Sequence, residues 1–219
     1  MKTQEKNFDG IKLSGFTAIL IMLALTGTAI YLLSLPQTPS IIAGVICGIC
    51  VVVMLPGFMI IQPNNSRVLT FFGRYAGTVI SNGFYWVNPL FLKSTVTLRI
   101  LNLNIDPIKV NDKVGNPIMI GAVVVWRIKD TYKASFDISG NIREFVQIQS
   151  DAALRQVAGM YAYDTNETID KVTLRSDESG EITQRLEDEL NSRLAIAGIE
   201  IVEARINYLA YASEIASVM

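Results

Sequence analysis

From Leu13 to Ser66 the chain carries no Lys, Arg, Asp or Glu; Lys12 is the last charge before this stretch and Arg67 the first after it. The Pro36-Gln37-Thr38-Pro39-Ser40 segment interrupts it and reads as a tight polar turn, because proline cannot continue a helix. Two apolar blocks remain, residues 15–35 and 41–61. At 1.5 Å rise per residue each spans about 31 Å, close to the ~30 Å hydrocarbon core of a bilayer. The first is rich in Leu, Ile and Phe, residue types that favour the membrane by roughly 0.3 to 0.6 kcal/mol each. The pattern predicts a transmembrane helical hairpin over residues 15–61, after a tail of residues 1–14. A cleaved leader fits less well: the apolar run is too long, and Leu33-Ser34-Leu35-Pro36 is a poor small-residue cleavage site.

Within the second block Gly44 and Gly48 form a G-x-x-x-G pair that lets helix backbones approach, with Ala43 and Cys47 alongside. The partner is open between the first block, around Ala24 and Gly27, and a neighbouring subunit. Pro56 and Gly57 interrupt the block near its end. A helix stopped at Leu55 would be too short to cross, so a proline kink is expected, with Phe58–Ile61 near the interface. Cys47 and Cys50 have redox-like spacing, but they lie inside an apolar helix and read as inert small residues.

After Ser66 the period changes to two. Val68, Thr70 and Phe72 begin a strand that Gly73 ends, and Gly77, Asn82-Gly83 and Asn88-Pro89 mark turns. Phe84, Tyr85 and Trp86 form an aromatic strand soon after the second block. They suit either contact with the bilayer surface or the domain core. The parity of apolar positions slips between Ile100 and Leu101, which predicts a β-bulge there. Asn111–Asn116 reads as a turn, and Ile118–Ile128 as a central strand covered on both faces.

Near Asp130 the period becomes helical. Asn141–Met160 is one helix; Ser179–Ala197 is another, with Ile182, Leu186, Leu190 and Leu194 as its apolar stripe. Glu181–Arg185 and Glu189–Arg193 form i, i+4 pairs on its polar side. Gly198 stands at the C′ position. Val202, Ala204, Ile206 and Tyr208 then alternate as a closing strand, and 209–219 reads as the start of a helix.

Net charge −1 leaves no basic field for nucleic acid. The absence of histidine excludes Ser-His-Asp and Cys-His chemistry and histidine-bearing metal sites in these 219 residues. No phosphate-binding glycine loop or metal-ligand cluster is seen, so catalytic, cofactor and metal residues are expected to be none. A Ser-Lys hydrolase needs no histidine, and Ser139 and Ser150 are its nearest candidates. An accessory subunit of a channel or transporter is a third class, which predicts ionisable groups inside the spans; both spans hold none. The basic flanks of the hairpin (Lys2, Lys6, Lys12, then Arg67 and Arg74) and the uncharged turn place both termini in the cytoplasm of a multi-pass plasma-membrane protein.

The ordered landmarks resemble the SPFH, or band 7, family of stomatins, prohibitins, flotillins and the bacterial HflK/HflC pair. Phe72-Gly73-Arg74-Tyr75-x-Gly77, Gly83-Phe84 and Val87-Asn88-Pro89 are similar to the family's opening strand and turns. Leu98-Arg99, Val110-x-Asp112 and Ala122–Ile128 are similar to its central strands. Leu154-Arg155 with Gly159, Gly198–Ile201, Ala204–Ile206 and Leu209–Ala216 resemble its later helices and strand. The likeness covers residues 59–219. Asn82 and Ser213 stand where proline is usual, and two full spans differ from most relatives and look like a bacterial slipin-like subgroup.

The resemblance implies an α+β fold: a helical hairpin, then an SPFH domain over 62–208, then the start of a truncated long helix over 209–219. It implies a membrane-anchored, non-catalytic scaffold that organises lipids and neighbouring membrane proteins. Its expected partners are membrane lipids, further copies of the chain, and a membrane protease or NfeD-type protein. Tyr208, Leu209, Tyr211 and Ile215 are the expected oligomer contacts. Without the long helix of its relatives, the 219-residue form is expected to be mostly monomeric or to make small, labile oligomers.

Overall fold

The computed structural model describes residues 5–164, 172–176 and 180–212. The chain divides into two compact units, Met1–Thr97 and Leu98–Met219.

The first unit holds the apolar stretch. A short strand β1 (Lys12–Ser14) leads into helix α1 (Gly15–Ser34), and α2 (Thr38–Met54) returns antiparallel to it. The turn is shorter than the sequence pattern suggests. Pro39 lies in the first turn of α2, where its missing N–H and fixed φ are tolerated. The expected proline kink is corrected. α2 stops at Met54, Leu55–Gly57 is one 3-10 turn, and Phe58–Ile61 is strand β2. The 41–61 span is therefore replaced by an apolar helical run over Thr38–Gly57. Proline ends the α-helix here because residues 58–61 gain a strand partner that a continued helix would lack.

Two three-stranded antiparallel sheets complete this unit. One has the order β1-β5-β2, with β5 at Gly83–Val87; the other is β4-β3-β6, with β3 at Asn65–Phe71, β4 at Arg74–Val79 and β6 at Phe91–Thr97. β3 and β4 are joined through Phe72 and Gly73, both at positive φ (45° and 81°), as a two-residue primed turn demands. Met59, Ile61, Leu69, Val79 and Val87 form a small core between the sheets, edged by Phe8, Tyr85 and Phe91.

The second unit is a sheet of order β7-β8-β9 (Leu101–Asn111, Pro117–Ile128 and Ile199–Tyr211) with helices α3 (Thr131–Phe136), α4 (Ile142–Ala158) and α5 (Glu181–Leu194). The β-bulge expected at Ile100-Leu101 is corrected: Leu98–Ile100 is irregular chain between strands of different sheets. The bulge lies instead between Ile105 and Ile108, where Pro107 sits in an edge strand that tolerates its missing donor. β8 is the central strand, with Ile118, Ile120, Ala122 and Val124 fully buried. Its partner β9 slips register twice, beside Gly121 and beside Val125. The second slip turns Val202 outward, to 46 % exposure, against the simple alternation that would bury it.

α5 lays Ile182, Leu186, Leu190 and Leu194 into the core, all of them buried. Its polar side supplies Asn191 and Glu187, which accept the N–H groups of Ile201 and Ala204 in β9. Those bonds occupy part of the strand's free edge. Glu189 pairs with Arg193 at 2.6 Å, and Arg193 also reaches Gln156 of α4. Glu181 accepts from the Tyr161 hydroxyl. Gly198 has φ +67°, and a Cβ there would stand 2.6 Å from the Asp130 carbonyl oxygen, so only glycine fits this helix exit.

Candidate functional site

The chemistry of the first unit begins with what its helices leave uncovered. α1 and α2 bury few residues: Gly15, Ala18 and Ala29 on one, Gly44 on the other. Phe16, Leu20, Ile30, Ile42, Ile49 and Val52 are each more than half exposed. Such a surface is unfavourable in water at about 25 cal/mol per Å² of apolar area and suits a hydrocarbon solvent. The hydroxyls of Thr26, Thr28 and Ser34 donate to carbonyls three or four residues back, so these polar side chains ask nothing of the surroundings. Both helical runs are long and apolar enough to cross a membrane.

Of the glycine pair, Gly44 lies at the helix–helix contact: a Cβ there would meet Leu33 Cγ at 2.8 Å and the Ala29 carbonyl oxygen at 3.1 Å. A Cβ at Gly48 would meet no described atom within 4 Å, and the same holds for Gly27. At Gly44 the intrachain contact is therefore with Ala29 and Leu33 rather than with Ala24 and Gly27. Cys50 is exposed and Cys47 half-buried; both are free thiols.

Both ends of the hairpin are fastened to one strand. Lys12, Leu13 and Ser14 pair with Val87, Trp86 and Tyr85 on one side of β5. Phe58, Met59, Ile60 and Ile61 pair with Trp86, Tyr85, Phe84 and Gly83 on the other. The chain entering α1 and the chain leaving α2 are thus held in one sheet. The period-two alternation of β5 sends Phe84 and Trp86 to one face and Tyr85 to the other. Phe84 stacks on Phe58 (centroids 5.6 Å apart) and meets Phe16 of α1 edge-on at 5.5 Å. The Phe84 ring lies so close to Gly15 that a Cβ there would approach it to 2.3 Å.

Trp86 Nε1 donates to the Met54 carbonyl at 2.9 Å, and Lys93 Nζ donates to the Pro56 carbonyl. These bonds satisfy carbonyls that the end of α2 leaves without helical partners. A Cβ on Gly57 would come within 2.3 Å of Trp86 Nε1 and 2.6 Å of the Val87 carbonyl oxygen, so Gly57 permits the close approach. Pro56 and Gly57 therefore form a helix stop and a seat for Trp86. Tyr85 faces the small core, with its hydroxyl donating to the Asn82 carbonyl and Lys12 Nζ 4.6 Å from its ring centroid. The three aromatics pack within this unit and sit at the base of the hairpin. Trp86 and Lys93 as caps of α2 were not legible as such; the sequence signal was the missing helix-ending donor after Pro56.

In the second unit the expected oligomer contacts separate. Tyr208, Leu209 and Tyr211 belong to β9, paired with Gly121, Ile120 and Ile118. The helix expected from residue 209 is thus corrected at its start: the strand continues through Tyr211 because β8 offers a matching edge back to Ile118. Tyr211 stacks against Tyr163 at 4.1 Å, and Tyr208 is 48 % exposed. Ile215 lies outside the described residues. Ser150 is fully buried in α4, and its hydroxyl has no hydrogen-bond partner among the described residues, so no base touches it. Among the described residues no His, Cys, Asp and Glu side chains cluster to hold a metal ion.

Asp112, in the β7–β8 turn, is a heavily bonded carboxylate. Its Oδ1 accepts from the backbone of Val114, Gly115 and Asn116, and its Oδ2 from Tyr163 N and Asn116 Nδ2. Burial opposes its ionisation, but the N–H donors of Tyr163, Asn116 and Val114 outweigh burial and hold its pKa below the ordinary 3.8. The turn is thereby tied to the segment after α4. On the sheet, Glu200 takes Arg127 at 2.6 Å and Lys129 at 2.8 Å, and hydrogen bonds from both lower its pKa.

Among curated proteins none matches the chain. The family model described as "SPFH domain / Band 7 family" matches residues 59–219, from the second residue of β2 onward and well over half of the protein. Two apolar helices followed by antiparallel sheets packed with helices, together with that match, place this chain in the SPFH domain / Band 7 family.

Proposed function

We propose that the protein is a multi-pass membrane scaffold, anchored by the α1–α2 hairpin with both termini in the cytoplasm. Membership of the SPFH family supports a membrane-associated scaffold role. The observation that carries the fuller reading is the fastening of both hairpin ends to β5. A hairpin held at its base presents its bare apolar helices in one fixed direction, as a two-span anchor requires. Anchoring every copy in one plane raises effective concentration, so weak lateral contacts add up to an assembly. Such an assembly gathers lipids and regulates neighbouring membrane proteins, with a membrane protease or an NfeD-type protein as the expected client.

The test is made on membranes from cells producing the full chain. Alkaline carbonate washing should leave the protein in the pellet, and a short amine-reactive cross-linker applied to intact membranes should give a ladder of homo-multimers. Release by carbonate would contradict the anchor. A monomer band alone, at cross-linker doses that join a known neighbouring complex, would contradict the scaffold.

A further inference from the structure

Between Asp9 and Asp106 the sequence contains no acidic residue, while Lys12, Arg67, Arg74, Lys93 and Arg99 fall in that interval. The first unit thus holds six Lys and Arg against two carboxylates, whereas the second holds thirteen against eighteen. A protein of net charge −1 thus carries a net positive excess on the unit that bears the apolar helices.

Arg67 is the residue that this leaves without an explanation. It lies on β3, opposite Val79 of β4 and Thr95 of β6, two positions before the fully buried Leu69 and on the same face. That face turns toward the other sheet, because Leu69 packs with Met59 and Ile61 of β2. Arg67 Nε is buried and has no hydrogen-bond partner among the described residues. A buried donor left unmatched costs about 1–3 kcal/mol, more when charged. Lys93 is its diagonal neighbour on that face, since Leu69 pairs with Lys93 and Arg67 with Thr95. The Lys93 ammonium sits at the Pro56 carbonyl, where α2 ends. Burial, then the charge of Arg67, lowers the Lys93 pKa. Two cations are held side by side, in a sheet that carries no carboxylate.

Arg67 also lines a cavity of about 320 Å³ beside the exit of β2. Gln62, Asn65 and Thr95 give it polar groups, and Ile60 and Ile61 give it an apolar side. We propose that this cavity, with Arg67 as its principal ligand and Lys93 beside it, binds the phosphate of an anionic phospholipid headgroup. The chemistry required is an oxyanion that fills the vacant Arg67 donor and offsets the paired cations, which a guanidinium does with its planar fork. A lipid is favoured over free phosphate because the cavity has an apolar side for the glycerol end of a lipid, formed by Ile60 and Ile61 of the strand that follows the membrane-length helix.

This site rests on reading α1 and α2 as membrane spans, and the test separates the two claims. The full chain is placed in phosphatidylcholine nanodiscs, with or without phosphatidylglycerol, and its unfolding temperature is followed. Phosphatidylglycerol should raise the unfolding temperature of the wild type. Arg67→Gln should lose most of that rise while unfolding no lower than wild type in phosphatidylcholine, since an unmatched charge has been removed. Arg67→Lys should keep part of the rise, and Arg74→Gln, which lies in the same unit outside the cavity, should keep all of it.

An equal loss in Arg74→Gln and Arg67→Gln would show diffuse attraction to an anionic surface and overturn the site. So would no rise in the wild type. A full rise produced by inorganic phosphate in phosphatidylcholine discs would overturn the lipid assignment. Failure of the chain to enter discs would overturn the membrane reading, and the site with it.

Discussion

Asp112 shows how one side chain can fix a turn that the backbone alone would not hold. Five N–H donors converge on its two oxygens, one of them from Tyr163, fifty-one residues away. Asp112→Asn turns one acceptor into a donor facing another donor, a cost of about 1–3 kcal/mol. The folded-state pKa is lowered, so this stability is complete above the ordinary 3.8 and is lost as pH falls through the lower folded value. The difference in unfolding temperature between wild type and Asp112→Asn should therefore be full at neutral pH and close in acid. A difference that stayed constant into strong acid would mean the charge plays no part. The turn itself was readable, because Gly115 stands in the short, mostly polar segment Asn111–Asn116. The Tyr163 bond was not, since nothing local in a sequence says which distant N–H will reach a carboxylate. Gly198 was readable for its left-handed φ, but not for the Asp130 carbonyl oxygen that makes any Cβ impossible there.

At the scale of elements, periodicity was a sound guide wherever packing followed the pattern. The four-residue stripe of α5 is buried throughout, with Leu190 wholly enclosed. Leu190→Asp places an unpaired charge in that core and should unfold the second unit; Leu190→Ala should cost about 2–5 kcal/mol. Urea unfolding followed by circular dichroism checks both, and a Leu190→Asp chain as stable as wild type would contradict the burial of this stripe. The pattern misled where an apolar run had two structural uses. Phe58–Ile61 is as apolar as the helix before it, and only pairing with β5 decides that it is a strand. Leu209–Tyr211 is composed like a helix start, yet β8 extends far enough to pair with it. At Val202 a bulge reversed the expected face. In each case a long-range partner overrode the local preference.

The whole molecule joins two units of opposite charge, and the apolar helices belong to the basic one. The hairpin and the α+β plan were legible because an uncharged run of this length and a shift of period from two to 3.6 are coarse, redundant signals. The fastening of both hairpin ends to β5 was not, for it depends on which strands pair. It nevertheless makes the orientation of the proposed anchor testable: β1 and β2 flank one strand, so a two-span anchor would enter and leave the bilayer on the same side. On the proposed reading the positive flanks predict that this side is the cytoplasm. The most direct measurement is thiol labelling in intact cells, in a chain lacking Cys47 and Cys50. A cysteine at Gln37, the residue just before α2, should react with an impermeant reagent, and one at Asn111, the end of β7, only after lysis. Labelling of Asn111 in intact cells with Gln37 protected, or of both positions alike, would contradict a two-span anchor with a cytoplasmic SPFH domain.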